Sequence, residues 1–317
     1  MVMPAPDSTD ASPAAVQEAL LSSADLVVLG RMPWSSNATF LCELWPAGSR
    51  PDAGLAEAEA EAGGSPPSSE WDADDLDNDD EPTEGGNDGT GGDAEDATEQ
   101  GTAQGAAQDT AQGAARREEI GPLGRAIYKP HRGERPLWDF PDGLFRREVA
   151  AYDLAHAMGW DVVPPTIMKD GPFGPGSLQW FIEANFDQHY FTLLEDEATH
   201  DQLRRMAAFD FVANSTDRKG GHVLVDADRH IWGIDNGLCL HAEFKLRTVI
   251  WDFGGEPLPA DLAEDLVRFL QVDLSAEVAG VLDQFERDAL HDRARALLAD
   301  GHLPTDPTGR RFPWPLV

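Results

Sequence analysis

The chain has 317 residues and a formal net charge of −34 at pH 7, with 58 Asp and Glu against 24 Lys and Arg. Nineteen of the carboxylates fall between Pro51 and Ala115, which leaves 39 acidic against 24 basic residues in the rest. That balance argues against a nucleic-acid face and against steady docking on an anionic membrane.

Pro51 to Ala115 has no Lys, no Arg and one aromatic, Trp71. Such a composition cannot bury enough apolar surface to offset chain entropy, so a disordered acidic insert is expected at 51–115, with a basic protein as its natural partner. Roughly 250 residues remain, enough for one domain with a substantial core. Cys42 and Cys239 lie far apart in apolar contexts and read as buried thiols of a reducing compartment. With no charged-then-apolar leader and no apolar run of ~18 residues, the expected location is cytoplasmic.

In chain order, residues 1–13 read as a disordered tail and Ala14–Leu21 as a short helix. Leu26–Gly30 and Thr39–Leu44 are strand candidates, joined by a polar loop containing Ser35, Ser36 and Asn37. The acidic insert then separates the second strand from a third, Arg125–Pro130, which Pro130 ends. Leu144–Met158 has the apolar spacing of a helix, with Glu148 in its first turns and Gly159 as its stop. A strand entered by Pro164 and Pro165 leads through a turn over Lys169–Gly176 to another strand, Ser177–Ala184. Thr199–Val212 is helical, and helices are expected again over Asp261–Leu270 and Ala276–Leu298. The closing RRFPWPLV reads as an extended apolar cap.

The most informative stretch is Phe209–Leu240. Val223–Val225 and Ile231–Ile234 are short apolar runs around turn residues Asp226–Asp228, so they form a hairpin. A hairpin returns the chain to its start, which brings Thr216-Asp217-Arg218 beside Asp235-Asn236-Gly237. Two aspartates set side by side on loops point to a divalent cation. Phosphoryl transfer needs this layout, with one Asp for the acceptor hydroxyl and one for the metal on the nucleotide phosphates. Read alone, each loop is ordinary turn chemistry. No P-loop lysine motif, HExxH, CxxC pair or GxSxG competes.

Asp217, His222 five residues later, and Asp235 in Asp-Asn-Gly resemble the catalytic and metal-binding loops of protein-kinase-like enzymes. The phrases NSTDRKGGHVLVD and GIDNGL look most like an actinobacterial branch of the phosphatidylinositol 3-/4-kinase superfamily, with type II phosphatidylinositol 4-kinases and HipA-type kinases as more distant relatives. The resemblance covers about Leu26–Leu270 without the insert. It implies an α+β, two-lobed protein-kinase-like fold, with 14–50 and 116–184 as the N-terminal lobe and 185–317 as the C-terminal lobe. It also implies ATP and magnesium, or manganese, as the bound groups. By position, Lys129 corresponds to the lysine that contacts the phosphates and Glu148 to the helix glutamate that holds it. Asp217 would orient the acceptor with Arg218 supporting its loop, and Asp235 would ligate the metal with His222. His222 stands where the superfamily usually has Asn, and magnesium prefers oxygen.

Within the same resemblance, Ser35, Ser36 and Asn37 would face the phosphates, a plain polar turn being the alternative. Phe181 and Ile182 would border the adenine, plain core being the alternative. The acceptor is left open between a protein, a small molecule and an inositol lipid. A nucleotide-binding pseudokinase or scaffold, and nucleotidyl transfer from ATP, are the rival functions.

Overall fold

The computed structural model describes residues 12–33, 35, 37–50 and 121–317. Residues 1–11, Ser36 and the expected acidic insert, 51–115, lie outside the described residues. The fold is mixed α and β, with one five-stranded antiparallel sheet, a two-stranded hairpin and several helices.

Helix α1 spans Pro13–Ser23, so Ser12 and Pro13 belong to a helix start and not to the expected tail. Ser12 Oγ accepts from the Ala15 N–H at 3.2 Å, and Pro13 sits where a missing N–H costs nothing. Strands β1 (Asp25–Arg31), β2 (Phe40–Trp45) and β3 (Gly124–Pro130) follow. Antiparallel pairing joins β1 with β2 and β2 with β3, so β2 and β3 are sheet neighbours although they lie far apart in sequence. Phe40, Cys42 and Leu44 on β2 and Ala126 and Tyr128 on β3 face a small core that also holds Leu21. Side chains alternate across a strand, so Lys129 lies on the opposite face from Tyr128.

Helix α2 spans Leu144–Met158 and ends at Gly159 with φ 73°. Strands β4 (Thr166–Gly171) and β5 (Gly174–Trp180) form the last hairpin, giving the order β1-β2-β3-β5-β4. The turn is shorter than expected: Lys169 pairs with Gly176 and Asp170 with Pro175, leaving only Pro172 and Phe173 at the tip. Gly176 reads as a turn residue by composition, yet it sits in a strand because β3 passes close by. A Cβ there would collide with the Lys129 carbonyl oxygen. The strand ends at Trp180, so Phe181–Ala184 is connection rather than strand.

Helices α3 (Tyr190–Leu193) and α4 (His200–Ala213) precede the hairpin of β6 (Val223–Val225) and β7 (Ile231–Gly233). Helix α5 spans Ala260–Phe269. The single helix expected over Ala276–Leu298 is two, α6 (Ala276–Val281) and α7 (Gln284–Asp300). Asp283 breaks it: its carboxylate accepts from Glu286 N–H at 2.8 Å, while Glu286 accepts from Asp283 N–H at 3.1 Å, a reciprocal cap.

A larger core gathers apolar side chains of α2, α4, α5, α7 and the β6–β7 hairpin, including Phe209, Ile231 and Phe269, together with Trp160 just after α2. Cys42 and Cys239 are free and buried, and burial pushes both thiols up to about 12. The C-terminal segment is extended as expected, but backbone bonds tie it down. Gly220 N–H donates to Leu316 O at 2.7 Å while Trp314 stays 87% exposed. Among the described residues, no helix is long and apolar enough to cross a membrane.

Candidate functional site

The β6–β7 hairpin closes as its sequence requires, and Thr216 N–H donates to Leu238 O at 2.8 Å across the two loops that flank it. Arg218 fastens them further. Its guanidinium donates to Asp210 Oδ1 at 3.0 Å, to Ile234 O at 2.7 Å and to Asn236 Oδ1 at 2.6 Å. Asp210 also accepts from Thr248 Oγ1 at 2.9 Å, so this charge pair is buried with its oxygens satisfied. Asp235 adopts the left-handed backbone, φ 59°, which Asp tolerates better than most residues.

Lys129, at the end of β3, donates to Glu148 of α2 and, at 2.8 Å, to Asp235 Oδ1. Glu148 is nearly fully buried and uses its other oxygen to accept from Asn236 N–H at 3.0 Å. One glutamate therefore joins the sheet, helix α2 and the Asp-Asn-Gly loop. Gly237 permits this approach, since a Cβ there would lie 3.3 Å from Glu148 Oε1. Burial acts to lower the Lys129 pKa, but the charges of Asp235 and Glu148 outweigh it, and the ammonium is held above the usual lysine range. Chiefly through Lys129, and against its own desolvation, the Asp235 carboxyl is held well below the usual range.

His222 Nδ1 lies 3.0 Å from Asp217 O, and Nε2 lies 3.5 Å from Asp235 Oδ2. Burial lowers its pKa, with Asp235 opposing. The Lys219 N–H also donates to Nδ1 at 3.4 Å, so backbone groups of this loop fix the ring on its Nδ1 side and direct Nε2 toward Asp235. In the tautomer with Nδ1–H on the Asp217 carbonyl, Nε2 is free to ligate a metal. The donor set, one carboxylate and one imidazole, fits a divalent ion with further ligands from water and phosphate, and manganese tolerates the nitrogen better than magnesium.

A cavity of about 260 Å³ collects Ser35, Asn37, Lys129, Glu148, Asp217 and Asp235. Ser35 Oγ pairs with Thr39 Oγ1 at 2.7 Å, and Asn37 Oδ1 accepts from Arg135 N–H at 3.0 Å. Asp217 is partly exposed, with Lys219 Nζ 3.0 Å from Oδ2. Four of the expected residues do not line the cavity. His222 stands behind Asp235, and Arg218 is buried on its Asp210 pair, which makes it a positioning residue. Phe181 carries the Arg125 guanidinium on its ring at 4.6 Å, and Ile182 is buried, both outside this cavity.

Glu134 lines the cavity and was not legible in the sequence. Its carboxylate accepts from the Leu144 and Phe145 N–H groups at 2.9 and 2.6 Å, capping α2 from ten residues upstream. Asp210 and Asn236 are the other residues that reasoning from sequence missed. Among the described residues, the one grouping of three metal-type ligands within 4.8 Å is His131, Glu134 and Asp142. Its members already satisfy one another and the α2 cap.

No family model matches the chain. It is 39% identical over 226 residues to protein Rv2133c of Mycobacterium tuberculosis, a match covering 60% of this chain and 81% of that protein. The chain belongs to the Rv2133c family. A crystal structure of the Helicobacter pylori proinflammatory kinase CtkA aligns at a TM-score of 0.32 with 10% identity, covering 57% of this chain and 85% of that one. A likeness at that level carries no argument, and the chemistry rests on the geometry above.

Proposed function

We propose that this member of the Rv2133c family is an ATP- and divalent-metal-dependent phosphotransferase with a two-lobed protein-kinase-like fold. The sheet and α2 would form one lobe and the remaining helices the other. The observation that carries the reading is the junction of Lys129, Glu148 and Asp235. A cation on a strand end, a buried helix glutamate and a loop aspartate from three distant parts of the chain meet at one cavity wall.

Each residue then has a defined task. Lys129, kept protonated, supplies positive charge to the phosphates, and Glu148 aims it. Asp235 and His222 would hold the metal, which when bound offsets the phosphate charge. Asp217 accepts a hydrogen bond from the acceptor hydroxyl and orients it, while Lys219 balances its charge. Ser35 and Asn37 would line the phosphate end of the cavity.

Incubation with ATP labelled at the γ- or the α-phosphate, with magnesium and then manganese, tests the reading. Transfer of γ-label supports it. Transfer of α-label indicates nucleotidyl transfer, and binding without turnover indicates a pseudokinase. His222 at the second metal position is the observation that favours that last alternative.

A further inference from the structure

We infer that a groove beside the Asp217 loop is the acceptor subsite and that it takes an acidic polypeptide segment, an inference that rests on the phosphotransferase reading. The groove has a volume of about 900 Å³ and contains Thr216, the chain neighbour of Asp217. Its floor is fixed to that loop by backbone bonds: Arg247 N–H donates to Ser215 O at 2.9 Å, and Arg218 N–H donates to Arg247 O at 3.1 Å. A molecule lying in the groove is therefore held in register with Asp217.

Charge identifies the occupant. In a chain of net charge −34, four cations, Lys245, Arg247, Arg310 and Arg311, converge on this groove against two carboxylates, Asp139 and Glu243. Lys245 is bonded to Asp139 at 2.9 Å, and Arg311 stacks on the Phe244 ring at 4.7 Å. Arg247 and Arg310 are exposed and form no salt bridge among the described residues. Two free guanidiniums recognise carboxylates by paired hydrogen bonds. Trp138 is 96% exposed at the groove wall, an apolar ring suited to an extended peptide. A long nucleic acid or an anionic bilayer would meet the repulsion of the whole acidic surface, whereas a short acidic segment meets chiefly this patch.

In the step this implies, the peptide hydroxyl oxygen bonds to the γ-phosphorus of ATP. The bond from that phosphorus to the bridging oxygen breaks, ADP leaves with the electron pair, and the hydroxyl proton passes to Asp217.

The test uses the full chain and a fluorescein-labelled peptide with a serine flanked by Asp and Glu, beside its Asn and Gln counterpart. Anisotropy without nucleotide reads binding, and γ-labelled ATP reads transfer. The acidic peptide is expected to bind at least about tenfold more tightly than its neutral counterpart, to weaken with added salt, and to accept label. Arg247→Glu with Arg310→Glu, both on exposed side chains, is expected to weaken binding about tenfold or more. Equal binding of the two peptides, indifference to the double reversal, or binding by those arginines of anionic vesicles or oligonucleotides but not of the peptide overturns the inference. So does a peptide that binds through them while γ-label passes only to water or another acceptor. Absence of any γ-phosphate transfer, with peptide binding intact, marks failure of the phosphotransferase reading and removes the acceptor role with it.

Discussion

Glu148 accepts from Lys129 with one carboxylate oxygen and from the Asn236 backbone N–H, at 3.0 Å, with the other. The relationship makes the position of Lys129 depend on helix α2 and on the Asp235 loop together. Glu148→Gln keeps the shape and removes the charge. It is expected to cost about 1.5–3 kcal/mol of stability, the usual worth of hydrogen bonds to a charged group, and to weaken ATP binding by tenfold or so. Lys129→Met should weaken ATP binding as strongly and cost at least as much stability, since it leaves the buried Glu148 carboxylate without its cation. Urea denaturation and calorimetric titration with ATP and metal measure both.

Arg218 and Asp210 are both buried and bonded to each other, and Arg218 reaches both loops without itself lining the cavity. Removing one partner leaves the other charged and unpaired in the interior. Arg218→Met and Asp210→Asn are each expected to destabilise by about 3–5 kcal/mol. If Arg218 instead acts on substrate, the variant unfolds at the wild-type urea midpoint and loses only turnover.

Asp235 and Asp217 are expected to fail differently. Asn is the suitable replacement at Asp235, because it tolerates the left-handed backbone there. Asp235→Asn should abolish the stabilisation that ATP with metal confers, about 2.7 kcal/mol at a hundredfold excess over Kd. Asp217→Asn should keep that stabilisation and lose roughly a hundred- to ten-thousand-fold in turnover. Thermal melts with and without ATP and metal, beside γ-label transfer, separate the two. Normal binding and turnover by both variants would reduce the loops to turns.

Asp153, on α2 away from the site, gives a pH signature. Burial first, then Glu277 and Glu18, push its carboxyl up to about 6 against a partial counter-effect from His156, and its Oδ2 has no hydrogen-bond partner among the described residues. The folded state thus binds this proton more tightly than the unfolded chain, whose carboxyl titrates near 3.8. The stabilisation from protonation is complete below that value and is lost as pH rises through about 6. Asp153→Asn should therefore stabilise by about 1 kcal/mol near pH 8, after allowance for partial exposure, and by almost nothing near pH 4. Urea midpoints of the two proteins at both pH values show it.

Sequence alone determined what depends on short spacings. The period of two in Arg125–Pro130 put Lys129 on the face opposite Tyr128. The 3.6-residue pattern set α2 at Leu144–Met158 with Glu148 inside, and hairpin closure brought Asp217 near Asp235. Local turn chemistry misled where long-range packing overrode it. Gly176 is strand because β3 passes within contact, and Asp283 breaks a helix by capping the next one. Tertiary structure alone decided where polar groups end. The Arg beside Asp217 reads as a site residue, yet the buried Asp210 takes it into the interior. Glu134 carries no local signal in the sequence, yet the α2 N-terminus claims it. Both outcomes follow from the cost of an unpaired buried donor or charge. Its partner is chosen by three-dimensional proximity, which no local spacing encodes.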